Sequence, residues 1–325
     1  MKTKIFITGA TGFIGSHLCE LGVKKGYKVI AFDRYNSNND LGGLSNSKYL
    51  KDIEIIMGDI RDYDSVYKSM KNCKIVFHLA ALIGIPYSYF SPLAYVKTNV
   101  EGTYNVLEAA KNLNFKNVIS TSTSEVYGSS QYLPIDEKHP LNAQSPYAAS
   151  KTAADQLSIS YHRSFNLPVT ILRPFNTYGP RQSERAVIPR IITQCLFDKN
   201  KNLILGNTTP TRDFNYVSDI CESYFHILKN RKIIGQIINV GGRTNISIKN
   251  LANKIIKLTG SKKNISRNKN IFRPKLSEVQ NLKCENKKLL KYTDWRPKTD
   301  LNTGLKKTID WIKVNKSKYF NKYKI

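Results

Sequence analysis

The stretch TSTSEVYG, Thr121 to Gly128, sets a row of hydroxyls and a carboxylate, Glu125, directly behind the apolar run FKNVIS. A buried strand that simply ran out into solvent would end in turn formers such as Gly, Pro or Asn. Hydroxyls followed by an acid are instead equipment for binding an alcohol and moving a proton. Downstream, SPYAASK places Tyr147 and Lys151 four residues apart. On a helix they share one face, about 6 Å apart along the axis. A phenol with an ordinary pKa of about 10 is a poor base at neutral pH. One positive charge about 4 Å away, at an effective dielectric of about 20, is worth about 4 kcal/mol, or roughly three pKa units. Spacing alone does not single out this pair, since Tyr67 and Lys71 in YKSMK repeat it. The second pair reads as a solvated helix face, because only Tyr147 and Lys151 follow the TSTSE strand end.

A third motif, GATGFIG, lies between the first apolar run and the first helical pattern. Gly9, Gly12 and Gly15, with Thr11, Phe13 and Ile14 between them, offer the close backbone approach and free N–H groups that a pyrophosphate needs at a helix N-terminus. The next strand, YKVIAFD, ends in Asp33, an acid roughly 20 residues on, as a ribose diol requires. Asp33 would repel a 2′-phosphate, so NAD is favoured over NADP, with the neighbouring Arg34 keeping the latter open. Asp59 and Ile60 in MGDIRD, and Leu79, Ala80 and Ala81 in HLAA, close the following strands, where an adenine and its ribose would lie. The oxidised nicotinamide of such a cofactor is a second positive charge beside Lys151, and together they make Tyr147 a usable base.

These residues must be held by a frame, and the frame is a repeated unit of apolar strand, turn and amphipathic helix. The runs KIFITG, YKVIAFD, IEIIMGD, KIVFHLAA, NVISTS and VTILRPF alternate with helical patterns such as NVEGTYNVLEAAKNL and SPYAASKTAADQLSISYHRSF. Strand alternating with helix implies parallel strands joined by right-handed crossovers, an α/β doubly wound sheet of Rossmann type. Such sheets bind ligands at the C-terminal ends of their strands. After Pro174 the texture changes to Arg- and Pro-punctuated loops, and the expected division is a dinucleotide-binding domain over 1–173. Residues 217–242 return to it through the helical ICESYFHILKN and the strand QIINVGG. Residues 174–216 and 243–325 form a smaller, mixed substrate domain. The Lys/Asn-rich patch SKKNISRNKN reads as an exposed loop.

The 325 residues, 41% of them hydrophobic, suffice for a sizeable core. The five cysteines are scattered, without a CxxC pair, so neither a disulfide framework nor a metal site is expected, and a reducing cytoplasm fits best. No run has signal-peptide or membrane-span length. Net charge is +27, and from Lys249 to Ile325 there are 22 Lys/Arg against 5 Asp/Glu. The lysines are strewn among Asn and Ile without an aromatic-basic module, so nucleic acid is not the expected partner. The positive field suits a phosphorylated small substrate.

GATGFIG, Asp33, HLAA, STSEVYG and YAASK together resemble the extended short-chain dehydrogenase/reductases that act on nucleotide sugars, over nearly the whole chain. The resemblance implies that Thr123 hydrogen-bonds the sugar's 4-hydroxyl while Tyr147 and Lys151 deprotonate it and NAD takes the C4 hydride. It implies a nucleotide-diphosphate site in RPFNTYGPRQ, AVIPRII, PTRDFNYVSD and RPKLSE. Arg212 and Arg273 would be its phosphate clamps and Asn176 would lie near the sugar phosphate, with Arg181, Val187 and Glu278 completing it. It also implies a homodimer formed through helices of the dinucleotide domain.

Within that family a carboxylate at Glu125 removes the C5 proton once C4 is a ketone, and water leaves from C6. The implied activity is a 4,6-dehydratase, a lyase that regenerates its NAD. The dTDP-glucose dehydratases carry Thr-Asp-Glu at this position, whereas this chain has Thr123, Ser124 and Glu125. Ser124 cannot be an acid of comparable strength, so the proton donor to the leaving hydroxyl stays unassigned. Thr-Ser-Glu resembles GDP-mannose 4,6-dehydratases and also UDP-glucuronate decarboxylases. LIGIPYSYFSP, QSPYAASK and TPTRDFNYV are most similar to NAD-dependent dehydratases of legionaminic-acid-type pathways, which implies a nucleotide-linked N-acetylglucosamine with Tyr87 and Ser88 near the sugar. A decarboxylase or a 4-epimerase of the same family are the alternatives. A non-catalytic Rossmann protein binding nucleotide or RNA is the alternative from another class, and it leaves Thr123, Tyr147 and Lys151 without a task.

Overall fold

The computed structural model describes residues 2–242 and 244–319. Seven strands form one parallel sheet: β1 (Lys4–Thr8), β2 (Lys28–Arg34), β3 (Ile53–Gly58), β4 (Ile75–His78), β5 (Asn117–Thr121), β6 (Val169–Pro174) and β7 (Ile237–Val240), in the order β3-β2-β1-β4-β5-β6-β7. The doubly wound sheet expected from the strand–helix alternation is the observed fold. Its strands are apolar almost throughout because helices cover both faces, and successive side chains feed two separate cores. Ile5, Ile7, Val29, Ala31 and Phe77 face the helices Phe13–Lys24 and Val217–Leu228. Phe6, Ile30, Val76 and Val118 point the other way, with Val106, Leu107 and Ala110 of the helix Gly102–Asn112 in the same core.

The order of strands reverses between β1 and β4, whose C-terminal residues Thr8 and His78 are directly paired. A crevice opens at such a reversal, outside the strand ends. The cofactor turn after β1 and the HLAA segment after β4 therefore meet there, with the end of β5 beside them.

A third core belongs to the smaller lobe, where Ile188, Ile191, Leu203, Leu251, Ile255, Leu305 and Ile309 pack together. Two expectations for this part of the chain are corrected. The patch SKKNISRNKN contains a strand, Asn264–Arg267, parallel to Asn202–Leu205 with Ile265 opposite Leu203, because Ile265 is drawn against the small lobe's core. The span 243–325 does not belong wholly to that lobe: Leu289 of the helix Lys287–Tyr292 and Trp295 are buried in the main core, where the Trp295 indole donates to the Asp219 carbonyl at 2.8 Å.

Candidate active site

At the cofactor end, Gly9 has φ +66°, and a Cβ there would stand 2.9 Å from the Ala80 nitrogen. A Cβ on Gly15 would meet the Gly9 carbonyl oxygen at 2.1 Å. The first turn of the helix Phe13–Lys24 thus closes onto the strand end only without side chains, leaving a cradle of backbone N–H groups. Asp33 closes the cradle's side. One of its oxygens accepts from the Thr11 nitrogen and hydroxyl at 2.6 and 2.7 Å, and the other accepts from the Arg34 nitrogen at 2.7 Å. Asp59 is gripped by the Arg61 guanidinium, which holds its carboxyl below the usual carboxylate range. Ile60 is buried beside it, its carbonyl accepting from Asn105 at 3.0 Å. Gly15→Ala is expected to weaken dinucleotide binding at least about 10-fold in a fluorescence titration, because backbone rather than a flexible side chain stands in the way. Unchanged affinity would show that the helix can move aside.

The HLAA segment is fixed by a one-directional hydrogen-bond chain. Thr8 Oγ1 accepts from the nitrogens of Leu79 and Ala80 at 3.0 and 3.1 Å, so its own hydrogen goes to His78 Nδ1 at 2.8 Å. That leaves a hydrogen on Nε2, which points at Thr103 Oγ1 at 3.0 Å, and Thr103 donates to the Asn99 carbonyl at 2.6 Å. Asn99 sits in a π-helical stretch, Val96–Glu101, a widened turn that often marks functional sites. Its side chain bonds both Leu82 backbone groups and Ser150 Oγ, and Ser150 donates to the Tyr147 carbonyl. The strand ends and the helix carrying Tyr147 are thereby tied together. Neither His78 nor Asn99 was singled out from sequence, since only their partners reveal their task.

His78 is wholly buried, and burial first, then the Lys151 charge, lowers its pKa from 6.5 to about 3. His17, against the Pro180 carbonyl, is lowered to about 4 by burial and then by Arg181. Below the ordinary value the unfolded chain binds protons that the folded chain refuses, so stability is complete above about pH 6.5 and is lost as pH falls from there towards 4 and then 3. The denaturant midpoint is expected to drop on this descent, with His78 alone costing about 2 kcal/mol by about pH 5, and His78→Gln should flatten the slope. A midpoint independent of pH in this window would contradict the assignment.

At the chemical end, Thr123 caps the short 3-10 helix Ser124–Tyr127, accepting from the Glu125 nitrogen at 3.2 Å, and it also shares a hydrogen bond with the Tyr147 phenol. The helix Pro146–Phe165 that carries Tyr147 starts at Ser145, whose hydroxyl accepts from the Ala148 nitrogen, and stops at Asn166 in the left-handed region. Lys151 is buried and donates to the Thr121 carbonyl at 2.6 Å, and burial lowers its pKa. Tyr147 is 8% exposed, and burial pushes its phenol up, the Glu125 charge adding to that push and the Thr123 bond opposing it. Thr123, Glu125, Tyr147 and Lys151 are thus brought together, while Ser124 is turned inward, 2% exposed.

Facing them is an arginine pair. Arg212, 6% exposed, lies 3.6 Å from Glu278 Oε1, and Arg273 lies 3.8 Å from the same oxygen. Burial lowers the Arg212 pKa, and the Glu125 carboxylate is the first charge opposing that. The amide oxygen of Asn176 is buried without a protein partner. The 273–278 segment is anchored across the cleft, Tyr89 bonding Ser277 Oγ at 2.6 Å and Gln144 donating to the Leu276 carbonyl at 2.6 Å. Tyr87 is half exposed against Tyr95, which in turn packs edge-on against Tyr147.

Three expected site residues have other engagements. Ser88 is fully buried with its hydroxyl donated to the Ile85 carbonyl, so it offers nothing to a ligand in this arrangement. Arg181 pairs with Glu20 at 2.7 Å and stacks over Trp311, joining the first helix to the last. Val187 opens the helix Val187–Phe197 and packs against the small lobe's core. Among the described residues no group of three or more His, Cys, Asp or Glu could hold a metal ion, and no helix is long and apolar enough to cross a membrane.

A family model described as GDP-mannose 4,6 dehydratase matches residues 6–308. A UDP-N-acetyl-alpha-D-glucosaminuronate decarboxylase of Bacillus cytotoxicus is 35% identical over 327 residues, covering 96% of this chain and 98% of its own. Among solved structures, a dTDP-glucose 4,6-dehydratase from Streptomyces venezuelae with NAD bound has a TM-score of 0.90 at 26% identity, over 98% of this chain and 99% of its own. A UDP-glucuronic acid 4-epimerase from Bacillus cereus, in complex with UDP-glucuronic acid and NAD, has a TM-score of 0.87 at 33% identity, over 96% of this chain and 100% of its own.

Proposed function

We propose, from the premise that this chain belongs to the GDP-mannose 4,6 dehydratase family of extended short-chain dehydrogenase/reductases, that it is an NAD-dependent nucleotide-sugar 4,6-dehydratase. Its substrate on this reading is a nucleotide-linked N-acetylglucosamine and its product a 4-keto-6-deoxy sugar. The observation that carries the reading is the place of Glu125, in the short turn Ser124–Tyr127 that Thr123 caps and that packs on the helix carrying Tyr147 and Lys151. A sugar whose diphosphate lies on Arg212 and Arg273 and whose C4 hydroxyl lies at Thr123 and Tyr147 presents C5 to that carboxylate. Asn176, with its unpartnered amide oxygen, is the group left to bind the sugar's own polar atoms.

The cradle of Gly9, Gly12 and Gly15, with Asp33 at its side, fits a dinucleotide, and NAD bound there supplies the acceptor of the C4 hydride and, once reduced, its donor to C6. The chain does the rest. Tyr147 takes the C4 hydroxyl proton while Thr123 holds the oxygen. Burial opposes the phenolate, and Lys151, one turn on and donating to the Thr121 carbonyl, is the cation at hand on the same helix. The ketone acidifies C5, Glu125 takes that proton, and the C6 hydroxyl leaves as water. Ser124, turned inward, is not the donor; Glu125, newly protonated, gives that proton to the leaving hydroxyl and, recharged from solvent, returns a proton to C5 as C6 takes the hydride.

Decarboxylation is the second reading, favoured by the Bacillus cytotoxicus relative. It calls for a cation aimed at a C5 carboxylate, and the turn after Tyr147 offers Lys151, already donating to Thr121, and Thr152, donating to the Ala148 carbonyl. Incubation with UDP- and GDP-linked N-acetylglucosamine, GDP-mannose and UDP-glucuronate, followed by product mass, decides between them. Loss of the mass of water supports the dehydratase, loss of carbon dioxide the decarboxylase, and an unchanged mass with a changed C4 configuration the epimerase.

A further inference from the structure

We propose that the buried ion pair of Asp155 and Arg173 is a clamp on both ends of the segment that carries Thr123 and Glu125, which makes Asp155 and Arg173 positioning residues for the reaction. The inference rests on the roles given above to Thr123 and Glu125. Asp155 is 1% exposed and Arg173 is not exposed at all. Arg173 Nη2 lies 2.9 Å from Asp155 Oδ2, and Nε donates to the same oxygen at 3.0 Å. That oxygen also accepts from Ser122 Oγ at 2.7 Å, one residue before Thr123. The other arm of the guanidinium, Nη1, donates to the Tyr127 hydroxyl at 2.9 Å, two residues after Glu125. Tyr127 passes its own hydrogen to Asn239 Oδ1 at 2.8 Å, next to β6 in β7, so the far end is anchored to the sheet.

The pair reaches the reacting groups from beneath. Asp155 lies one helical turn beyond Lys151, and Lys151 holds the Thr121 carbonyl. Thr121 and Ser122 are therefore tied to the catalytic helix, and Tyr127 is tied to β6. Between the two ties, Thr123, Ser124 and Glu125 have no freedom to slide relative to Tyr147. Stability alone does not require this arrangement, since well-packed apolar residues commonly replace a buried ion pair without loss. What an apolar pair cannot do is accept from Ser122 and donate to Tyr127.

The two ends make different predictions, which separates positioning from a general structural role. Tyr127→Phe keeps the ring and releases only the end beside Glu125. With UDP-N-acetylglucosamine as probe and the NAD-loaded full chain, C4 oxidation, read as reduced nicotinamide, and KM should stay within about 3-fold. Solvent deuterium entering C5 should slow at least about 10-fold, the scale of a misplacement approaching an ångström. Ser122→Ala releases the other end and should slow C4 oxidation at least about 10-fold. The double variant Asp155→Leu, Arg173→Met should retain its far-ultraviolet circular dichroism and NAD while losing both steps. Equal slowing of both steps in Tyr127→Phe, no slowing in either single variant, or wild-type turnover by the double variant overturns the clamp. Wild-type protein that exchanges C5 without losing water overturns the dehydratase reading and leaves the clamp scored by the same ratios. If wild type never exchanges C5, the clamp is decided by C4 oxidation in Ser122→Ala alone.

Discussion

Tyr147→Phe is expected to bind nucleotide sugar and cofactor as wild type does, yet to lose C4 oxidation by roughly 10³-fold, within the range of a removed general base. The substitution deletes one oxygen. The ring keeps its edge-on contact with Tyr95 at 6.3 Å, and the residue is 8% exposed, so the packing that holds the helix in place survives. What is lost is the acceptor for the C4 proton and the partner of the Thr123 hydroxyl. Stopped-flow mixing of the loaded enzyme with substrate reads this directly as the rate of nicotinamide reduction. A rate within tenfold of wild type would mean that Thr123 or a water is the base. In wild type the same rate should rise with pH, because burial holds the phenol above its ordinary value and the deprotonated form is the reactive one.

Glu125→Gln is expected to divide the reaction in two. The amide has the size of the carboxylate but cannot accept the C5 proton, so water loss should fall by about 10² to 10⁴. C4 oxidation should persist and run at the wild-type rate or faster, since the Glu125 charge is one of the causes raising the Tyr147 pKa and the neutral amide removes it. The expected record is a rise in reduced nicotinamide that does not decay, a 4-keto sugar recovered on quenching, and no deuterium at C5. Full dehydration by this variant would remove Glu125 from its role, and failure at the first oxidation would show that the carboxylate positions rather than reacts. The two variants together stall the same enzyme at opposite sides of the ketone.

How much of this was readable in the chain differs by kind of residue. The parallel sheet follows from seven apolar runs bounded by turns, and every one is a strand, because a strand covered on both faces needs no partner's identity to be recognised. The pair Tyr147 and Lys151 was readable from helical spacing plus its neighbour TSTSE. Tyr67 and Lys71, at the same spacing, became a cation stacked on a ring, 5.7 Å from its centroid, at the end of the helix Tyr63–Met70. The strand Asn264–Arg267 was hidden because its composition is that of a loop and a single isoleucine draws it inward. The pairing of Arg181 with Glu20, 161 residues away in the chain, has no counterpart in any local spacing.

By itself the sequence determined what depends on neighbours along the chain: the glycine cradle, the acid at the end of β2, the hydroxyl-and-carboxylate strand end and the one-turn spacing of phenol and ammonium. Backbone geometry translates each of these spacings into a distance without reference to the rest of the molecule. Only the tertiary structure decided which buried polar groups meet. His78 finds Thr103, Tyr89 finds Ser277, and the Arg173 guanidinium finds Tyr127, across 25, 188 and 46 residues of chain. A buried donor or acceptor must have a partner, but packing in three dimensions chooses it, and many side chains in the sequence could have served.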